Sequence, residues 1–238
     1  MTLAFLELND IELRLWQADH LVVSEPGWAL LTEPAKVGQQ ALDEARLQPR
    51  LANSQFWQAL STDPMPGATS VARHHADLAY LQLTAFKNLA PDSEFVVCVP
   101  GHYERADLSL LLGLMDAASI AVRALIDPGV LLASKALSAT TNLLYLDVGL
   151  HAVTLTVIKQ GAQLQRSSSL IAHSAGYLNI IDRLANYAAA ALVRKSRFDP
   201  LQHASTEQQL FQQLLQPDYP IAILGQGLIS LHHEGVQY

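Results

Sequence analysis

The feature that most limits how this chain can fold is a pattern that occurs twice. Phe5-Leu6-Glu7-Leu8-Asn9-Asp10 leads into the alternating apolar residues Ile11, Leu13 and Leu15, and Tyr145-Leu146-Asp147-Val148-Gly149-Leu150 leads into Val153, Leu155 and Val157. Period-two hydrophobicity on both sides of a short polar or glycine-bearing break is the signature of a β-hairpin with one buried face. Each copy also carries one carboxylate near the end of its first strand. Two readings fit: such hairpins occur in any mixed α/β protein, or the chain duplicates one β-led unit.

The segments between the copies point to a mixed sheet flanked by helices. Phe95 to Val99, Glu104 to Ala118 and Ala121 to Ile126 read as strand, helix, strand, which implies parallel pairing through a crossover. Ahead of them, Leu21 to Leu31 is an extended run interrupted at Pro26-Gly27. Glu33 to Leu60 has a helical pattern broken at Pro34 and Pro49, and Val71 to Leu89 has helical spacing. A short helix is expected over Gly129 to Ser138. After the second hairpin the pattern predicts a third strand over Gln163 to Ile171, helices over Asn179 to Lys195 and Ser205 to Leu215, and strands over Tyr219 to Leu224 and Gly227 to His232.

Composition narrows the function classes. Half of the 238 residues are hydrophobic and 16% are charged, enough for a sizeable core without disulfides or metal. The net charge of -7 excludes sequence-independent binding to nucleic acid or to an anionic membrane surface. The lone Cys98 lies in an apolar run and forms no internal bridge, which suits a reducing cytoplasm. No signal peptide is visible at the N-terminus, and the longest apolar region, Leu108 to Leu132, is interrupted by Asp116, Arg123 and Asp127, so no membrane span is expected.

The order of the pieces resembles a known family. Hairpin, extended run, Glu33-Pro34-Ala35-Lys36-Val37-Gly38-Gln39-Gln40-Ala41, long helix, and then Val96-Val97-Cys98-Val99-Pro100-Gly101-His102-Tyr103 with a following helix is similar to the ATPase domain of DnaK-type, seventy-kilodalton heat-shock chaperones. Arg123-Ala124-Leu125-Ile126-Asp127-Pro128 stands where that family has its acid-proline turn, and Leu146-Asp147-Val148-Gly149 where it has its second phosphate hairpin. Gly176 with Asp182-Arg183-Leu184 is similar to the start of the next family helix. The bacterial actin MreB has related segments, so the resemblance is to the actin and heat-shock ATPase superfamily, nearest its DnaK-like branch. It spans Leu3 to about Leu215.

This resemblance implies an α/β fold of ribonuclease H-like duplicated lobes. Residues 1–138 would form the first lobe, with a helical and loop insertion over 33–90, and residues 139–238 a second lobe that stops before the family's adenosine-binding segment. It also implies a cleft for ATP or ADP with Mg²⁺. Glu7, Asp127 and Asp147 match the family's catalytic carboxylates, with Glu7 and Asp147 holding Mg²⁺ through water, and Asn9, Asp10 and Gly149 stand at the phosphates. If the chain is active, the reaction would be Mg-dependent ATP hydrolysis. Each carboxylate also has a structural role open to it: Glu7 as a charge at a sheet end, Asp127 as the initiator of an Asp-Pro turn, Asp147 as the acid beside a hairpin turn.

The departures point the other way. The first turn is only Asn9-Asp10 where the family has a longer Gly, Thr and Ser loop, and Leu150, His151 and Ala152 replace small residues and a threonine in the second. The catalytic lysine has no match in context, Arg50 and Lys87 being the nearest candidates. Two functions follow: a weak nucleotide-binding domain, or a pseudo-ATPase that keeps the fold as a scaffold for a protein partner. His74-His75 and His232-His233 are weak metal candidates, because adjacent side chains point apart.

Overall fold

The computed structural model describes residues 2–136, 142–215 and 229–238. The strand expected over Tyr219 to Leu224 lies outside these residues, as do the first two residues of the strand expected over Gly227 to His232 and the end of the helix expected to reach Ser138; of the described residues 229–232 only His232 is in a strand. The chain begins with an antiparallel meander, β1 (Thr2–Glu7), β2 (Leu13–Gln17) and β3 (His20–Glu25). Then come β4 (Ala29–Leu30), β5 (Lys36–Val37), α1 (Gln39–Leu42) and β6 (Ala52–Asn53). Next are α2 (His75–Leu89), β7 (Ser93–Cys98), α3 (Arg105–Ala117), β8 (Ala121–Ile126) and α4 (Pro128–Ala133).

A second meander follows: β9 (Asn142–Val148), β10 (Val153–Gln160) and β11 (Leu164–Ala172). Two helices, α5 (Tyr177–Ser196) and α6 (Ala204–Leu214), and a small terminal ladder, β12 (His232–His233) with β13 (Val236–Gln237), complete the described chain. It is a mixed α/β structure.

The main sheet has the order β3-β2-β1-β7-β8. β1 pairs antiparallel with β2 and parallel with β7, and β7 pairs parallel with β8. The second sheet has the order β11-β10-β9, antiparallel throughout, so it repeats the meander of the first. The repeat extends to register: Leu6 pairs with Leu15 in one hairpin and Leu146 with Leu155 in the other.

The helices start where local chemistry allows. The Asp77 carboxylate accepts from the Arg73 and His74 backbone N–H groups ahead of α2, and the Asp107 carboxylate accepts from Glu104 N–H ahead of α3. Free donors at a helix start are satisfied this way. At α4, Asp127 is the N-cap, its Oδ1 accepting from Val130 N–H at 3.1 Å, with Pro128 at the first helical position.

One region departs from its helical pattern. Between Glu33 and Leu60 only α1 is helical, because Gly38 turns the chain at φ +73 and the flanking residues form the ladder β5-β4-β6. Leu31 N–H donates to Leu51 O at 2.8 Å, fastening the ends of this segment together. Likewise α2 begins at His75 and not at Val71, because Thr69 Oγ1 takes the Val71 and Ala72 N–H groups and Pro64 bridges to His74.

Among the described residues there are two apolar clusters. The first lies between the main sheet and helices α2 and α3, where Leu6, Leu13, Leu15, Phe95 and Val97 meet Leu78, Leu83, Phe86, Leu111 and Met115. The second is shared by distant segments: Trp28, Leu30, Ala41, Leu42 and Ala45 pack against Leu150, Leu178, Ile181, Leu210, Phe211 and Leu214. Arg46 reinforces it. Its guanidinium stacks 4.3 Å from the Phe211 ring centre and pairs with Asp182 at 2.7 Å and Glu207 at 3.3 Å. Gln208 receives Arg46 N–H at 2.7 Å and donates to Leu42 O at 2.9 Å.

Candidate functional site

The two repeated hairpins meet tip to tip. In the first turn, Asn9 Oδ1 accepts from Ile11 N–H at 3.0 Å, and Leu8 N–H donates to Cys98 O at 2.9 Å, so the tip is fixed to the sheet. This leaves the Asn9 amide free to reach across, where Nδ2 donates to Asp147 Oδ1 and to Val148 O, both at 3.0 Å. The Asp10 carboxylate crosses beside it and accepts from Leu150 N–H at 2.7 Å.

Glycine is required where these tips touch. A Cβ on Gly149 would stand 2.8 Å from Asp10 Oδ1, and one on Gly176 would stand 2.3 Å from the His151 backbone. In the second turn Gly149 N–H is engaged as well, donating to Ala152 O at 2.8 Å. His151 is directed elsewhere, its Nε2 lying 2.9 Å from Ser54 Oγ.

Glu7, Asp127 and Asp147 come together at the ends of three strands. Glu7 lies in register with Cys98, and Cys98 with Ile126, the residue before Asp127. Their mutual field is visible in their neighbours. Burial and then the three carboxylates push the Cys98 thiol up to about 12. Asp147 is raised by burial, with Glu7 and Asp127 adding to the shift and the Asn9 amide opposing it. Asp10 is raised to about 6, chiefly by burial, against the Leu150 N–H that favours its charged form.

Each of the three acids has a protein partner. Glu7 faces Arg14 at 3.6 Å, Asp127 faces Arg166 at 3.3 Å, and Asp147 holds Asn9. Arg166 also donates to Gly101 O at 2.7 Å, as Ser169 does at 3.0 Å. No group of three or more His, Cys, Asp or Glu among the described residues is arranged to hold a metal ion. The cavity between the tips, lined by Asn9, Asp10, Trp57, Gln58, His102 and Asp147, measures about 30 Å³. A water needs roughly 10–15 Å³ and a small-molecule ligand roughly 300–1,000 Å³. A phosphate with Mg²⁺ would have to displace these contacts: the Gly149 and Leu150 N–H groups are taken, each of the three acids has a partner, and the space between the tips is a water's.

Several residues here escaped the sequence pattern. Arg14 sits opposite Glu7 in the β1–β2 register, which the hairpin alternation could have revealed. Trp57 and Gln58 reach the cavity because Tyr103 Oη donates to Trp57 O at 2.5 Å and Trp57 Nε1 donates to Gln82 at 2.7 Å. Nothing in sequence spacing signals those links. Of the lysine candidates, Lys87 donates to Pro91 O at the far end of α2, away from the tips. His74 pairs with Asp77 and His75 meets Ala59 O, while His233 stacks on His203 at 4.2 Å.

No family model matches the chain, and no curated protein matches it significantly. Geometry and the sequence pattern are therefore the grounds for its function.

Proposed function

We propose that this chain is a non-hydrolysing relative of the actin and heat-shock ATPases that acts as a protein-interaction scaffold. The main-sheet order, with one antiparallel meander extended by two parallel strands, supports a ribonuclease H-like lobe, and the second meander supports a duplicate of it. The observation that carries the reading is the direct bonding of the two tips. Asp10 presents a carboxylate to Leu150 N–H, the kind of donor that would cradle a phosphate, so an internal anion stands in the ligand's place. Glu7, Asp127 and Asp147 then serve structure: two ion pairs and one hydrogen bond from the Asn9 amide replace the metal they would share. The lone buried Cys98 suits a cytoplasmic setting.

The test is thermal unfolding and calorimetric titration with MgATP and MgADP. A ligand at a hundred times its dissociation constant would stabilise the native state by about 2.7 kcal/mol. The expected result is no shift and no heat of binding at millimolar nucleotide. A stabilisation of several degrees that Asp147→Ala abolishes would overturn the reading and restore the nucleotide cleft.

A further inference from the structure

Among the described residues, the outer face of the second meander has no covering element. Strand alternation places Leu146, Leu155 and Leu170 in one cross-strand row, flanked by Leu144 with Val157 and by Val148 with Val153. Leu144 is 70% exposed, Leu146 60% and Leu170 68%. The opposite face, with Thr154, Thr156 and Ile158, is buried, and Gly129 of α4 lies against Tyr145 and Ile158 there. Contiguous exposed apolar surface of this kind marks an interaction site.

The duplication says what belongs on it. In the first hairpin the residues in the same register, Leu6 and Leu15, are 0% exposed, because α2 and α3 lie on them with Leu78, Leu83, Phe86, Leu111 and Met115. No described helix covers the second copy of that face.

We propose that the outer face of β9-β10-β11 docks an amphipathic α-helix supplied by a partner protein. Size decides against a second copy of this chain. Three strands of about seven residues offer a patch of about 23 by 14 Å, on the order of 300 Å², whereas a standard interface takes about 800 Å² from each partner. One helix of about fifteen residues is about 22 Å long and 10–12 Å wide and covers the patch, the length of α2 itself. The partner helix carries Leu, Phe or Met at i, i+4 and i+7 or i+8 on one face. Lys159, exposed, lies at the end of these rows in register with Asn142, so the fitting helix bears a carboxylate at that end. This proposal deepens the scaffold reading and rests on it.

The experiment uses the full chain and a capped, fluorescent peptide of residues 74–90, the sequence that covers the equivalent face in the first half. Fluorescence anisotropy should show saturable binding, weakened at least 10-fold by Leu146→Glu, with the variant's circular dichroism and unfolding midpoint unchanged because the side chain is exposed. Leu170→Lys provides the same readout should Leu146→Glu perturb folding. Equal affinity in both variants, or equal binding of a scrambled peptide, would overturn the proposal. So would a dimer in sedimentation that Leu146→Glu dissociates, since the face would then belong to a second copy. Stabilisation by MgATP in separate samples would count against the sealed cleft and leave the helix site standing.

Discussion

Asp10 Oδ1 receives the Leu150 backbone N–H at 2.7 Å, a bond between turns 140 residues apart in the chain. It is short, partly buried and made by a carboxylate whose charge the site does not favour. Asp10 is raised from its ordinary 3.8 to about 6, so the folded state holds its proton more tightly than the unfolded chain does. The resulting stabilisation is fully present below pH 4 and is lost as the pH rises through 6, by about 3 kcal/mol. Asp10→Asn keeps an oxygen for Leu150 and cannot ionise. Urea unfolding midpoints should therefore be flatter between pH 4 and 6.5 in the variant and higher than native at pH 7. A native-like pH slope in Asp10→Asn would show that another group carries it.

Gly149 and Asp10 should be coupled. Gly149→Ala puts a methyl group 2.8 Å from the Asp10 carboxylate, and prying the tips apart should cost about 2 kcal/mol. In Asp10→Gly the same methyl group has room. A double-mutant cycle by chemical denaturation should give a coupling of at least about 1 kcal/mol; additive effects would mean that the steric conflict lies elsewhere, Ala152 O at 3.2 Å being the next contact.

Asp127 separates capping from catalysis. Asn is as good an N-cap as Asp, so Asp127→Asn should lose only the half-exposed pair with Arg166, less than about 1 kcal/mol. Asp127→Ala also strips the cap from Val130 N–H and should cost about 1 kcal/mol more. Equal costs for the two variants would contradict the capping role seen at α4.

Arg46 should be the most sensitive charged position. It stacks on Phe211, pairs with two carboxylates and sits against the shared apolar cluster. Arg46→Ala should cost about 2–3 kcal/mol, and Arg46→Lys should recover little, because an ammonium lacks the planar fork that serves Asp182 and Glu207 together. Full recovery by lysine would reduce the site to simple charge.

Much of the framework was legible in the order of residues. β8 occupies Ala121–Ile126 as its apolar pattern indicates, and α3 and α5 fall within two residues of their periodic segments, because each is long enough for periodicity to show. The segment from Glu33 to Leu60 was not legible. Its strands are two residues long and are defined by partners such as Leu31 with Leu51, so no local period exists to read. Glu7 and Asp147 stood out as acids at strand ends, Asp127 through the acid-proline turn of the resemblance, and Asn9 as a residue of the first turn. That Arg14, Arg166 and Asn9 are the partners of these acids was not legible, because what makes them partners is register and the meeting of two tips, neither of which is written in spacing.

Trp28, Leu30, Leu42 and Ala45 complete a cluster whose other members begin at Leu150 and end at Leu231. During synthesis these early residues have nothing to close upon until more than a hundred further residues have left the ribosome, a wait on the order of ten seconds. Closing so long a loop is entropically costly and slow compared with forming the first meander. The nascent chain thus emerges with Trp28 and its neighbours uncovered, and holding that segment apart from other chains until α6 arrives is a task for the cell's folding machinery.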